Sequence, residues 1–204
     1  MNHARTARTA ARSPAVTLGV ISACAFLFGC SPKFDWREVR SAADVYAVSL
    51  PGKPQVVTRD LELPLAAGPQ RVSMTMTSAG VGPTMFAVGV AHLPPSVVQD
   101  STAVQASLAF FRDGLLRNID VNNVEKESIP RLAASGSGTV RAATSFEARG
   151  RLGRQGEPPE PARLAAHIYV VDDRLYQIVA MGRAEDLPDH EIETFFTSFH
   201  LMSP

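Results

Sequence analysis

The fold hangs on residues 164–181, LAAHIYVVDDRLYQIVAM. Two apolar runs, Leu164–Val171 and Leu175–Met181, flank Asp172-Asp173. So short a connection, made of turn-forming residues, predicts a β-hairpin. Side chains alternate between the two sides of a strand. In the first run Leu164, Ala166, Ile168 and Val170 take one side, and Ala165, His167, Tyr169 and Val171 the other. Neither side suits water, so the hairpin belongs in the middle of a sheet covered on both faces.

Upstream, alternating apolar residues predict further strands. They are Tyr46, Val48 and Leu50 before Pro51-Gly52, Leu61 and Leu63 before Pro64, Val72, Met74 and Met76, and Phe86, Val88 and Val90 after Gly82-Pro83. Short Gly- and Pro-marked connections make these an antiparallel meander. Asp100-Ser101 can cap a helix whose Val104, Leu108, Phe111 and Leu115 share one face. Gly114 costs that helix about 1 kcal/mol relative to Ala and leaves its C-terminal end open. A weaker strand, Val124 to Ile129, and a long one through Val140, Ala142, Thr144, Phe146 and Ala148 follow. Gly153 to Pro161 predicts an exposed loop. From Pro188-Asp189 a terminal helix carries Ile192, Phe195, Phe196 and Phe199 as an apolar stripe. The expected class is α+β: a three-layer α/β/α sandwich with a mostly antiparallel sheet and one main helix per face.

At 204 residues the chain suits one domain plus accessories. Apolar residues make up 45% and charged ones 20%, enough to bury a core and too little bias for disorder. Both cysteines, Cys24 and Cys30, lie near the N-terminus, so packing rather than disulfides must hold the domain. Formal net charge is zero, but Arg5, Arg8 and Arg12 crowd the start; without the first 29 residues, 17 basic residues face 20 acidic ones. A mildly acidic body is not built to neutralise phosphates, which argues against nucleic acid as a partner.

The N-terminus reads as an address. Met1 to Pro14 is polar and basic, and Ala15 to Phe28 is apolar apart from Thr17 and Ser22. Fourteen helical residues span about 21 Å, short of the roughly 30 Å hydrocarbon core, so a cleavable export signal is expected rather than a membrane span. The arginines form no adjacent pair, which points to the general secretion route. The run ends in Leu27-Phe28-Gly29-Cys30. This resembles a bacterial lipobox, with Phe28 where a small residue is usual. Ile21-Ser22-Ala23-Cys24 is a rival, but it leaves too short an apolar run before it. The expected organisation is a signal peptide over 1–29, a lipidated tether over 30–43 and a globular domain over 44–204. Resemblance to lipoproteins implies an acylated Cys30, and Ser31 after it implies the outer membrane, facing the periplasm, rather than the inner membrane.

Three patches resemble the PsbP-like superfamily, which includes photosystem II extrinsic subunits and a Ran-binding nuclear import factor. They are Tyr46-Ala47-Val48-Ser49-Leu50-Pro51, Arg174-Leu175-Tyr176-Gln177-Ile178 and Phe195-Phe196-Thr197-Ser198-Phe199. Lipoproteins of proteobacteria are similar too. The resemblance implies an α/β/α sandwich and a non-catalytic adaptor or assembly role; residues that support manganese or bind Ran in that family have no match here, and the patches are packing motifs rather than chemistry.

Candidate chemistry is sparse. His92, His167, His190 and His200 show no metalloprotease spacing, and no Gly-x-Ser-x-Gly or phosphate loop occurs, so no catalytic residue, metal ligand or cofactor is assigned. His167 stands out as a histidine on a central strand, a core group or a ligand contact. Met74, Phe86 and His167 are candidate contacts for a ligand held between sheet and helix. Arg149, Arg151, Arg154 and Arg163 surround the Gly153 to Pro161 loop and are candidates for lipid headgroup or partner contact. The expected function is a membrane-anchored, non-catalytic envelope lipoprotein that binds another envelope protein as an assembly or accessory factor. A small-ligand or lipid carrier is the alternative, and a hydrolase the third reading.

Overall fold

In a computed structural model of the chain, which describes residues 33–121, 123–132, 138–153 and 158–203, the 164–181 hairpin sits at the heart of the larger of two antiparallel sheets. Cys24, Cys30, Arg154 and the segment read as signal peptide lie outside the described residues. No helix among the described residues is long and apolar enough to cross a membrane.

The larger sheet contains β3 (Gln55–Leu65), β4 (Gly68–Val81), β5 (Thr84–His92), β6 (Asn123–Ser128), β7 (Val140–Leu152), β8 (Glu160–Val171) and β9 (Arg174–Arg183). Its spatial order is β3-β4-β5-β9-β8-β7-β6, so β9 is the middle strand and β3 and β6 are the edges. The smaller sheet orders as β1-β2-β10, from β1 (Trp36–Ser41), β2 (Tyr46–Pro51) and β10 (His200–Leu201). Three helices complete the body: α1 (Pro95–Val98), α2 (Ser101–Arg117) and α3 (Asp189–Ser198), with a 3-10 turn at Ala184–Asp186 before the last.

One face of the large sheet is covered by α2. Val104, Leu108, Phe111 and Leu115 are buried as their spacing predicts, against Phe146, Leu164, Ile168 and Val179. Asp100 accepts a hydrogen bond from the Thr102 amide at 2.8 Å and starts the helix. Gly114 does not end it; the helix runs on to Arg117 because its apolar face is paid in burial rather than propensity. Gln177 of β9 is buried on this face and donates to the Phe111 carbonyl at 3.3 Å.

The other face corrects the expected three-layer sandwich with one main helix per side. The described residues are 55% strand and 21% helix, and the second cover is the small sheet together with α3. Tyr46, Val48 and Leu50 of β2 pack with Ile192, Phe195 and Phe199 onto Phe86, Val88, Tyr169 and Ile178. The alternation in Tyr46–Leu50 identifies a strand correctly, but periodicity does not say which sheet a strand joins. β2 pairs with β1 and β10 instead of extending the meander. The segment 30–43, read as a tether, contributes β1: Trp36–Ser41 alternates weakly because only Trp36 and Val39 have apolar mass to bury.

Candidate functional site

The α3 side of the sheet holds a cleft of about 260 Å³. Its floor is His167 and Tyr169 of β8 with Ile178 of β9, placed together by the His167↔Ile178 register. Phe196, Thr197 and Phe199 at the end of α3 form one wall, and Arg131 and Leu132 after β6 form another. Phe195 and Phe199 turn into the core, which leaves Phe196 only partly buried and facing the cleft.

His167 is held tightly. Its ring stacks on Phe196 with centroids 4.0 Å apart and planes 10° apart, and its Nδ1 lies 3.2 Å from the Tyr169 hydroxyl. Burial pushes the His167 pKa down to about 4, with the Glu147 carboxylate pulling weakly the other way. Burial also pushes Tyr169 up to about 12. Both groups are therefore neutral at pH 7; in the tautomer in which Tyr169 donates to Nδ1, the ring proton sits on Nε2. Among the described residues Nε2 has no hydrogen-bond partner. So weak a base is poorly suited to activating a hydroxyl or water at neutral pH, but a neutral N–H in an apolar cleft is a good fixed donor.

The unfolded chain binds a proton at His167 below about pH 6.5, whereas the folded one waits until about pH 4. Stability should therefore be full above about pH 6.5 and fall by about 3 kcal/mol from that plateau by pH 4. Urea titrations across this range check it: His167→Gln should flatten the slope, and an unchanged slope would remove the histidine from the account.

The other candidate contacts do not join this cleft. Met74 is buried under α2, where its Sδ and Cε lie over Gly89. Phe86 is fully buried on the opposite face, at 5.3 Å from the Trp36 ring and 5.2 Å from the Phe195 ring. Position along a strand does not fix its side without the register, and Met74 and Phe86 take opposite faces of the sheet.

The arginines also separate. Arg149 pairs with Glu125 at 2.7 Å, and Arg151 donates to the Pro159 carbonyl. Arg163 is only 13% exposed and is used internally, bonded to Glu147 at 2.7 Å, Asp189 at 2.5 Å and the Leu187 carbonyl at 3.3 Å. It fixes the start of α3 onto β7 and β8. Burial alone would raise the Glu147 pKa, but hydrogen bonds from Arg163 and Lys126 outweigh it and hold the carboxyl below its ordinary value. Arg163 and Asp189 gave no sequence signal as partners, because 26 residues separate them in the chain.

The remaining histidines have local roles. His92 Nε2 lies 3.2 Å from Asp44, His190 pairs with Glu191 at 3.2 Å, and His200 Nδ1 is 3.1 Å from the Ser198 carbonyl. Ser41 donates to Asp44 at 2.9 Å, so Ser41, Asp44 and His92 form a chain with the carboxylate in its middle. A nucleophile needs the imidazole between serine and carboxylate, so this order cannot relay a proton from Ser41 to the ring. Among the described residues no three His, Cys, Asp or Glu side chains gather as metal ligands would. Arg131 and Leu132 are the cleft residues that sequence reasoning passed over; they follow Pro130 in a stretch with no periodicity to mark them. Compared with known protein families the chain matches none, and no curated protein matches it either.

Proposed function

We propose that this chain is a lipid-anchored protein of the bacterial envelope, held to the bilayer through an acylated Cys30, with Cys24 the rival, and facing the periplasm from the outer membrane. Its body acts without catalysis, as an accessory or assembly factor that binds an extended segment of another envelope protein. The basic start, the apolar run and the Leu27–Cys30 box support the anchor.

The observation that carries the binding role is the outer edge of β3. Among the described residues its eleven positions pair on one side only, with β4. Val56 and Val57 are 64% and 46% exposed, on opposite faces of the same edge. Edge strands normally carry charges or proline to discourage pairing. Arg59, Asp60, Glu62 and Pro64 guard the second half of β3, whereas Gln55–Thr58 has no such guard. An added strand would gain main-chain hydrogen bonds there, with the valines setting side-chain preference.

In cells, a photo-reactive residue at Val57 should give one reproducible protein adduct that the same residue at exposed Thr194 does not give. Intact mass of the chain from membranes should show acyl mass that Cys30→Ser abolishes and Cys24→Ser retains. Equal adducts at both positions would remove the edge from the proposal, and an unacylated chain would remove the anchor.

A further inference from the structure

The cleft at the end of α3 has an apolar body and a polar mouth. Leu132, Ile178, Phe196 and Phe199 supply apolar surface, and the stacked His167–Phe196 pair supplies a flat one. Two groups that favour negative charge also line it. Arg131 is exposed and makes no ion pair or hydrogen bond with any described residue, and His167, in the tautomer in which Tyr169 donates to Nδ1, offers a neutral Nε2–H. Glu147, the carboxylate that acts electrostatically on His167, is already bound by Arg163 and Lys126. Among the described residues no acidic group lines the cleft.

Size narrows the ligand. A volume of about 260 Å³ lies just below the roughly 300–1,000 Å³ usual for ligand pockets, or about nine waters at roughly 30 Å³ each. That accommodates one ring or a short chain. We infer that this cleft binds a small amphipathic monocarboxylate, its apolar body against Ile178, Phe196 and Phe199 and its carboxylate on the Arg131 guanidinium, with the His167 N–H as a second donor. The guanidinium suits the task because its planar donors match both carboxylate oxygens. The site lies on a different part of the body from the β3 edge, so the inference goes beyond the protein-binding role and does not depend on it.

The test uses the full-length chain in nanodiscs of zwitterionic lipid, with empty nanodiscs as the blank, titrated calorimetrically near pH 7 with 3-phenylpropionate and with its neutral isostere 3-phenylpropanamide. The acid should bind at least about tenfold more tightly than the amide. Arg131→Gln should bring the acid to the amide's level and leave the amide unchanged. Thr197→Trp, which fills the cleft from an exposed position, should abolish both while the circular dichroism spectrum stays native. Equal affinity for acid and amide, indifference to either substitution, or no heat above the blank up to about 5 mM would overturn the inference. Each of those results leaves adduct formation at Val57 untouched.

Discussion

Gly150→Ala should cost the fold about 3 kcal/mol or more. Gly150 lies in β7 with its α-carbon facing the turn that follows α2. A Cβ there would stand 2.0 Å from the Ile119 carbonyl oxygen and 2.7 Å from that of Asp120. Both obstacles are backbone. The Arg151 amide already donates to the Ile119 carbonyl at 2.6 Å, and Asp120 is held in the left-handed region at φ 41°. Relief therefore requires the turn to lift off β7, which withdraws Ile119 from the core beneath α2. Gly89→Ala is the contrasting case. Its Cβ would stand 2.1 Å from Met74 Cε, the far end of a flexible thioether that can swing aside, so the cost should be about 1 kcal/mol. Urea midpoints measured side by side decide the matter, and the reverse ranking would mean that the α2 turn is not pressed onto β7.

What could be read from the sequence follows from how far apart the interacting residues lie. The α2 stripe, the Asp172-Asp173 hairpin and the alternation in β4 and β5 are local patterns, and each is found where its spacing puts it. The double-sided apolar character of β8 correctly marks a strand buried on both faces. The terminal helix was legible as a cover of the second face, but the small sheet beside it was not, because β2 pairs with β10 across about 150 residues of chain, His200 opposite Ala47. Val45, at the end of that turn, adopts φ 57°, a conformation that a β-branched residue advertises in no sequence pattern. Likewise His167 was visible as an odd residue on a central strand, whereas Arg131, which lines the same cleft 36 positions earlier, was not. Strand parity gave the cleft its floor; only the register and the placing of α3 gave it walls.

Phe86→Ala should destabilise the protein by about 3–5 kcal/mol, and the loss should be felt first at β1. Phe86 is fully buried and joins three elements at once: its ring lies 6.0 Å from Phe34, 5.3 Å from Trp36 and 5.2 Å from Phe195, mostly edge to face. Beyond its ladder with β2, the other side-chain attachments of β1 are weaker. The Lys33–Asp186 ion pair is half exposed on the lysine side, and such surface pairs contribute about 0–1 kcal/mol. Trp36 Nε1 donates to Glu191 at 3.0 Å, which ties β1 to α3 rather than to the large sheet. Without the Phe86 ring, β1 and α3 face a cavity, and Phe195 is already committed to the core. Amide hydrogen exchange should therefore accelerate in Trp36–Ser41 more than in β8 or β9, while Phe86→Leu, which keeps most of the volume, should cost about 1.5 kcal/mol or less. Uniform acceleration across all strands would show that the two cores open together and that Phe86 does not act as the local fastening of β1.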